Sequence, residues 1–101
     1  MSQVFISQEV ASVDYTPAIE FGDLVFVTSA NDRLSPHQHS LNNVNIMDKI
    51  RHELSNFNED DFLVCTGAPA NMVLCGAVLG SKLKKMLVWD NRMNNYFEVK
   101  I

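Results

Sequence analysis

The stretch that decides the fold runs from Phe62 to Gly80 and is FLVCTGAPANMVLCGAVLG. Its first four residues form a continuous apolar run, which is typical of a strand covered on both faces of a sheet. The turn Thr66-Gly67-Ala68-Pro69 follows, and its proline suits the first turn of a helix. The rest is apolar almost all round, so we expect a helix buried on more than one side. Gly76 and Gly80 predict close approach of that helix by another backbone.

A second continuous apolar run, Leu24 to Thr28, precedes the first by roughly thirty residues. Between the two runs, apolar residues repeat at the spacing of an amphipathic helix, and these are Leu41, Val44, Met47, Ile50 and Leu54. Ser40 or one of the two asparagines after it is suited to cap this helix, which should stop near Ser55. The spacing is that of a strand–helix–strand crossover, so we expect the two runs to be parallel neighbours in one sheet.

The flanking segments complete the prediction of an α/β fold. Gln3 to Val10 alternates loosely and predicts a half-exposed strand near an edge of the sheet. Met86 to Trp89 and Tyr96 to Ile101 bracket a turn-forming segment, which predicts a C-terminal β-hairpin. We therefore expect a single α/β domain over residues 1–101, with a small three-layer or two-layer mixed sheet around a central parallel βαβ unit.

Composition restricts the classes of function. The chain has 101 residues, of which 47% are hydrophobic and 20% charged, and this balance is that of a folded protein. The net charge of −4 and the scattered lysines and arginines argue against a partner of duplex nucleic acid. No apolar segment approaches the roughly 18 to 20 residues that span a bilayer, so we expect no membrane partner. Cys65 and Cys75 lie inside apolar runs and form no C-x-x-C pair, which favours a reducing, cytoplasmic location.

Topology predicts where a ligand would bind. If the two buried runs are parallel neighbours, the loop after Thr28 and the turn after Cys65 emerge at the same carboxyl edge, where open α/β sheets bind ligands. The turn also opens a helix, whose free N–H groups suit a phosphate or carboxylate. The candidate donors to such an anionic, nucleotide-like ligand are Ser29, Asn31, Arg33, Thr66, Gly67 and Asn71. The alternative is that Gly67 and Pro69 only shape a tight turn.

Other chemistry has weaker support in the sequence. Neither a P-loop nor a G-x-G-x-x-G fingerprint is present, so we expect no cofactor. His37 and His39 form an H-x-H pair, but no further Cys or His falls at recognisable ligand spacing, and we predict no metal site. No recognisable nucleophile–base motif occurs, and we assign no catalytic residue. A small hydrolase that uses Asp32 and Thr66 is the third hypothesis.

The hairpin provides a candidate partner surface. Trp89, Met93 and Tyr96 flank its turn and could form an exposed patch for a host protein, or could simply pack at the rim of the core. A small open sheet also has edges to protect, and pairing two copies across a two-fold axis does so. We therefore expect a homo-oligomer.

Two segments carry a resemblance to a known group of proteins. Asp61 to Pro69, and Leu87 to Asn91 with Tyr96 downstream, resemble short uncharacterised proteins encoded by tailed bacteriophages. The resemblance implies a compact viral accessory protein, whose cytoplasmic location would be that of the host cell. It brings no activity with it. The leading hypothesis is a non-enzymatic binding module for an anionic small ligand or a host protein. The alternative is a structural or assembly component of the virion that self-associates.

Overall fold

The computed structural model describes residues 2–37 and 40–101 and contains one mixed five-stranded sheet. The strands are β1 (Gln3–Ile6), β2 (Asp23–Phe26), β3 (Phe62–Val64), β4 (Lys85–Asp90) and β5 (Asn95–Lys100). Their order across the sheet is β2-β1-β3-β4-β5; the first four are parallel, and β5 is antiparallel to β4. The helices are α1 (Leu41–Leu54) and α2 (Pro69–Leu79), with 3₁₀ helices at Thr16–Phe21 and Gly80–Lys82. The predicted α/β class and C-terminal hairpin are confirmed.

Helical segments cover the two faces of the sheet, which gives three layers. On one face, α1 and α2 enclose a core that includes Phe5, Ile50 and Leu63. On the other face, the segment around the first 3₁₀ helix contributes Tyr15 and Ala18 to a second core over β1, β3 and β4. This 3₁₀ helix connects β1 to β2. Within residues 2–37 and 40–101, no helix has the length and apolarity needed to cross a membrane.

The positions of β1 and β2 differ from the prediction. β1 lies inside the sheet between β2 and β3, so the two apolar runs are parallel but are not neighbours. Val4, Phe5 and Ile6 are fully buried, whereas β2 forms an edge and its apolar residues are only half-buried. The prediction of a half-exposed edge strand was wrong. It relied on the polarity of Ser7 and Gln8, but both residues lie beyond the end of β1 and are buried, with their side chains hydrogen-bonded to neighbouring loops.

Helix α1 has the predicted bounds but a rotated buried face. Ser40 is its cap, because its hydroxyl accepts a hydrogen bond from the Asn43 N–H at 3.4 Å. The buried residues are Ile46, Ile50 and Leu54, whereas Leu41 is 78% exposed. The first turn packs differently because Asn43 binds the backbone of Ser35 in the preceding loop, through both its amide oxygen and its amide nitrogen.

Helix α2 begins at Pro69 as predicted, but it is buried along one stripe only. That stripe is Asn71, Cys75 and Leu79, whereas Val73 on another side is 69% exposed, so the expectation of burial on more than one side was wrong. A Cβ atom added at Gly76 or Gly80 would meet nothing within 4 Å among the described residues. No other backbone segment of those residues therefore packs closely against α2 at these glycines. Gly80 instead ends the helix, with a φ of 52°.

Gly67 is the glycine on which the turn depends. Its φ is 92°, and an added Cβ would lie 2.5 Å from Gln8 Cβ and 2.9 Å from Gln8 Cδ. Gly67→Ala should therefore lower the free energy of unfolding by about 3 kcal/mol, through backbone strain and displacement of Gln8. Urea denaturation measures this change. Gly76→Ala is the matched control: it adds the same methyl group in open space within a helix, and it should stabilise by about 0.5 to 1 kcal/mol. Equal effects of the two substitutions would contradict the close contact of Gly67 with Gln8.

Candidate functional site

The side chain of Gln8 joins three loops at the carboxyl edge of the sheet. These loops follow β1, β2 and β3. Gln8 Nε2 donates to the carbonyl oxygens of Ser29 at 3.0 Å and Asp32 at 3.1 Å, both in the loop after β2. Gln8 Oε1 accepts from the N–H of Ala68 at 2.8 Å, in the turn after β3. One buried amide therefore fixes the distance between the turn that opens α2 and the loop that precedes α1.

A second set of hydrogen bonds fastens the loop after β1 to Thr66. The Ser7 hydroxyl donates to the Thr66 carbonyl at 2.7 Å and accepts from the Thr66 N–H at 3.0 Å. Thr66 Oγ1 donates to the Gln8 carbonyl at 2.7 Å and lies 2.8 Å from the hydroxyl of Tyr15. The Tyr15 hydroxyl also accepts from the N–H of Val10 at 3.0 Å. The Thr66 side chain is thus a structural link rather than a free donor.

Asp32 organises the loop after β2. Its Oδ2 accepts from the Ser29 N–H at 2.7 Å and from the Ser29 hydroxyl at 3.1 Å, and it forms an ion pair of 2.6 Å with Lys49 of α1. Partial burial would raise the pKa of the Asp32 carboxyl, but the hydrogen bonds from Lys49 and Ser29 outweigh that effect and hold the pKa below its usual range. The Ser29 hydroxyl is therefore engaged within the loop.

Asn71, in the first turn of α2, is fully buried against the same loop. Its Nδ2 donates to the hydroxyl oxygen of Thr28 at 3.2 Å and to the carbonyl of Asp32 at 3.1 Å. Its Oδ1 is buried and has no hydrogen-bond partner among the residues that the structure describes. An unpaired buried acceptor costs about 1 to 3 kcal/mol, and native proteins keep few of them.

The three loops enclose a cleft of about 720 Å³. Its walls come from the loop after β1, the loop after β2 and the start of α2, including Gln8, Glu9, Arg33, Gly67, Ala70 and Asn71. Arg33, Gly67 and Asn71 are predicted site residues that lie in these walls. Ser29, Asn31 and Thr66 do not line the cleft, although Ser29 and Thr66 belong to the hydrogen bonds that shape it.

The electrostatics of the cleft come from two side chains and one helix end. Arg33 and Glu9 are exposed residues of its walls and carry opposite charges. Helix α2 points its N-terminus at the cleft through Ala70 and Asn71, and no side chain caps that end of the helix. The Ala68 N–H donates to Gln8 Oε1 and the Asn71 N–H to the Ala68 carbonyl, so the Ala70 N–H and the positive end of the helix dipole are what attract an anion there. The cleft thus offers two positive elements against the single carboxylate of Glu9.

Sequence reasoning missed Gln8, Ser7 and Glu9. The available signal was the polar pair Ser7-Gln8, which directly follows the β-forming residues up to Ile6. The first residues beyond a parallel strand form the carboxyl edge of the sheet, where ligands bind. The run was assigned to Gln3–Val10 as one strand, which hid the point where the strand ends at Ile6.

A second groove of about 580 Å³ lies on the face of the sheet that carries the 3₁₀ helix. Val13, Asp14 and Pro17 line it together with Trp89 and Tyr96 of the hairpin. The rings of Trp89 and Tyr96 meet edge to face, with centroids 5.1 Å apart. Burial raises the pKa of the Tyr96 hydroxyl, helped by the nearby Tyr15 and Asp14. Of the predicted partner surface, Trp89 and Met93 are exposed, whereas Tyr96 is buried.

The remaining candidate chemistry is dispersed over the fold. Asp61 is buried at the opposite edge of the sheet, where it accepts hydrogen bonds from the N–H groups of Gln3 and Asn58. Burial raises the pKa of the thiol of Cys75 to about 12, and it also raises that of Cys65, which is half-buried. His37 is exposed, and His39 lies outside the described residues. Within residues 2–37 and 40–101, no three His, Cys, Asp or Glu side chains come together as a potential metal site.

The fold and the cleft define a small open-sheet α/β protein with a loop-built cavity at the carboxyl ends of its parallel strands. The chain belongs to the phage Pam3 gp32-like protein family, whose model matches residues 2–101. The resemblance to phage proteins is therefore confirmed, and it extends over almost the whole chain rather than the C-terminal part alone. Neither the comparison with curated proteins nor that with solved structures gives a match.

The role of Gln8 can be tested by truncation. Gln8→Ala removes three hydrogen bonds and leaves the Ala68 N–H without its partner, whereas the Ser29 and Asp32 carbonyls each keep one other donor. The free energy of unfolding should therefore fall by about 2 to 4 kcal/mol. Amide hydrogen exchange should also accelerate at Ala68. Gln3→Ala, at the start of β1, is the control and should change the stability by less than about 1 kcal/mol. A Gln8→Ala protein as stable as the wild type would contradict the proposed role.

Proposed function

We propose that this phage protein is a non-enzymatic binding module that holds a small anionic, nucleotide-like ligand in the cleft at the carboxyl edge of β1, β2 and β3. The single observation that carries the proposal is the uncapped N-terminus of α2 in a wall of that cleft. An anion there would accept from the Ala70 N–H, the first amide after Pro69, and would meet the positive end of the helix dipole.

Three further features support this assignment. The cleft lies at the ends of the neighbouring strands β1 and β3. The chain continues from β1 to β2 on one side and from β3 to β4 on the other, and open α/β sheets bind ligands at such a point. Its volume is within the range of sites for small molecules. Gln8 and Asn71 hold the walls in place before a ligand arrives, which lowers the entropy lost on binding.

The composition of the walls favours an organic anion over a bare inorganic one. Much of the wall is apolar, including Val10, Ala30 and Leu34, and would contact a base or another flat apolar group. Arg33 is placed to pair with a phosphate or carboxylate, because a guanidinium binds both in a bidentate manner. The unpaired Oδ1 of Asn71 in the same wall is an acceptor, so it would pair with an N–H or O–H group of the organic part of the ligand and not with its anionic group.

Thermal shift and calorimetry with a panel of nucleoside monophosphates and cyclic dinucleotides test the proposal. A ligand at one hundred times its dissociation constant should stabilise the protein by about 2.7 kcal/mol, which raises the melting temperature by several degrees. Arg33→Ala should weaken binding of the best probe about tenfold. Glu9→Gln should tighten it about twofold, because it removes a negative charge from the wall.

Arg51→Ala is the matched control, since Arg51 is an exposed arginine on α1 that does not line the cleft. It should leave the dissociation constant unchanged. The proposal fails if no probe in the panel raises the melting temperature at millimolar concentration. It also fails if Arg51→Ala weakens binding as much as Arg33→Ala does, because the attraction would then come from overall charge and not from the cleft.

A further inference from the structure

The outer edge of β5 exposes backbone hydrogen-bonding groups. Ile101 N–H donates to the Lys84 carbonyl at 2.8 Å, and the register pairs Val99 with Met86 and Phe97 with Val88. In an antiparallel pair, alternate residues point their N–H and C=O groups toward the neighbouring strand. Those of Tyr96, Glu98 and Lys100 therefore point away from β4, and no other strand of the described chain lies beyond β5.

One face of this hairpin is also an uncovered apolar surface. The helices α1 and α2 pack over the other part of the sheet, while Val88, Phe97, Val99 and Ile101 stay exposed on their side of β4 and β5. Phe97 is 40% exposed and Val99 38% exposed, although both belong to a regular strand. An exposed apolar edge strand is a template for pairing with another chain.

The charges on the opposite face of β5 select the partner. Lys100 lies directly across from Lys85 in the hairpin, an unfavourable pairing of like charges. Glu98 is two residues away on the same face, and its Oε2 lies 3.8 Å from Lys100 Nζ. We infer that β5 pairs antiparallel with β5 of a second copy of this chain, with Val99 on the two-fold axis, so that the two sheets form one.

This register satisfies both faces. Glu98 lies opposite Lys100 of the second copy, and the relation occurs twice across the axis. Phe97 lies opposite Ile101 of the second copy, so the apolar surfaces of the two hairpins become continuous. The neighbouring registers that also use the outward N–H and C=O groups place Glu98 opposite Glu98, or Lys100 opposite Lys100, and like charges directly opposite destabilise a sheet. The sequence of β5 is therefore complementary to itself in one register.

Charge reversal with sedimentation analysis tests the partner and its orientation. The wild-type chain should sediment as a dimer at micromolar concentration. Glu98→Lys and Lys100→Glu should each weaken the dimer at least tenfold, and the double variant Glu98→Lys/Lys100→Glu should recover most of the lost affinity. Lys82→Glu, an exposed lysine after α2, is the control and should dimerise like the wild type. A monomeric wild type, or a double variant as weak as the single variants, would overturn the inference.

Disulfide trapping tests the register independently. Val99 on the axis faces itself in a non-hydrogen-bonded pair, where Cα atoms lie about 4.5 Å apart and a disulfide can form. Val99→Cys should therefore give a covalent dimer on mild oxidation, and Phe97→Cys should not. Cross-linking through Phe97→Cys but not Val99→Cys would show a different register and overturn the assignment. The wild type, with its half-buried Cys65 and buried Cys75, sets the background.

Discussion

The hydrogen bonds of the buried Gln8 amide are the interaction on which the carboxyl edge of the sheet depends. It donates to two carbonyls of the loop after β2 and accepts from the turn after β3, although it belongs to the loop after β1. A side chain with both a donor and an acceptor is required, since the groups that it meets are of both kinds. Gly67 is the counterpart of this arrangement, because any side chain there would occupy the space of Gln8. The cleft lies beside these hydrogen bonds, between the loops that they hold together.

Local signals predicted much of the fold. Phe62 to Gly80 encodes a strand, a turn and a helix in consecutive residues, and Pro69 begins the helix as expected. The order of the strands was not predictable in the same way, because pairing is decided between segments far apart in the chain. The four residues of β1 are too short to show a clear period, and the polar Ser7 and Gln8 masked their burial. A central strand was therefore assigned to an edge.

A cleft lies at the edge of the sheet that the sequence indicated, but only three of the six predicted donors line it. The rule that open α/β sheets bind ligands at the carboxyl ends of their strands identified the correct edge for a cavity. Ser29 and Thr66 have the chemistry of anion donors, but their hydroxyls bind Asp32 and the Gln8 carbonyl instead. A sequence shows which groups can donate, and only the three-dimensional arrangement shows which of them are already engaged. Arg33 and the start of α2 remain available at the cleft.

The proposed function requires that the loops joined by Gln8 form an anion-binding cleft at the N-terminus of α2. The most direct measurement is a titration of the ¹⁵N-labelled protein with adenosine monophosphate, followed through the backbone amide resonances. If the nucleotide binds in the cleft, the shifts should be saturable and largest at Gly67, Ala70 and Asn71, with smaller shifts near Arg33. Shifts confined to the groove of Trp89 and Tyr96, or no saturable shift at millimolar nucleotide, would contradict it.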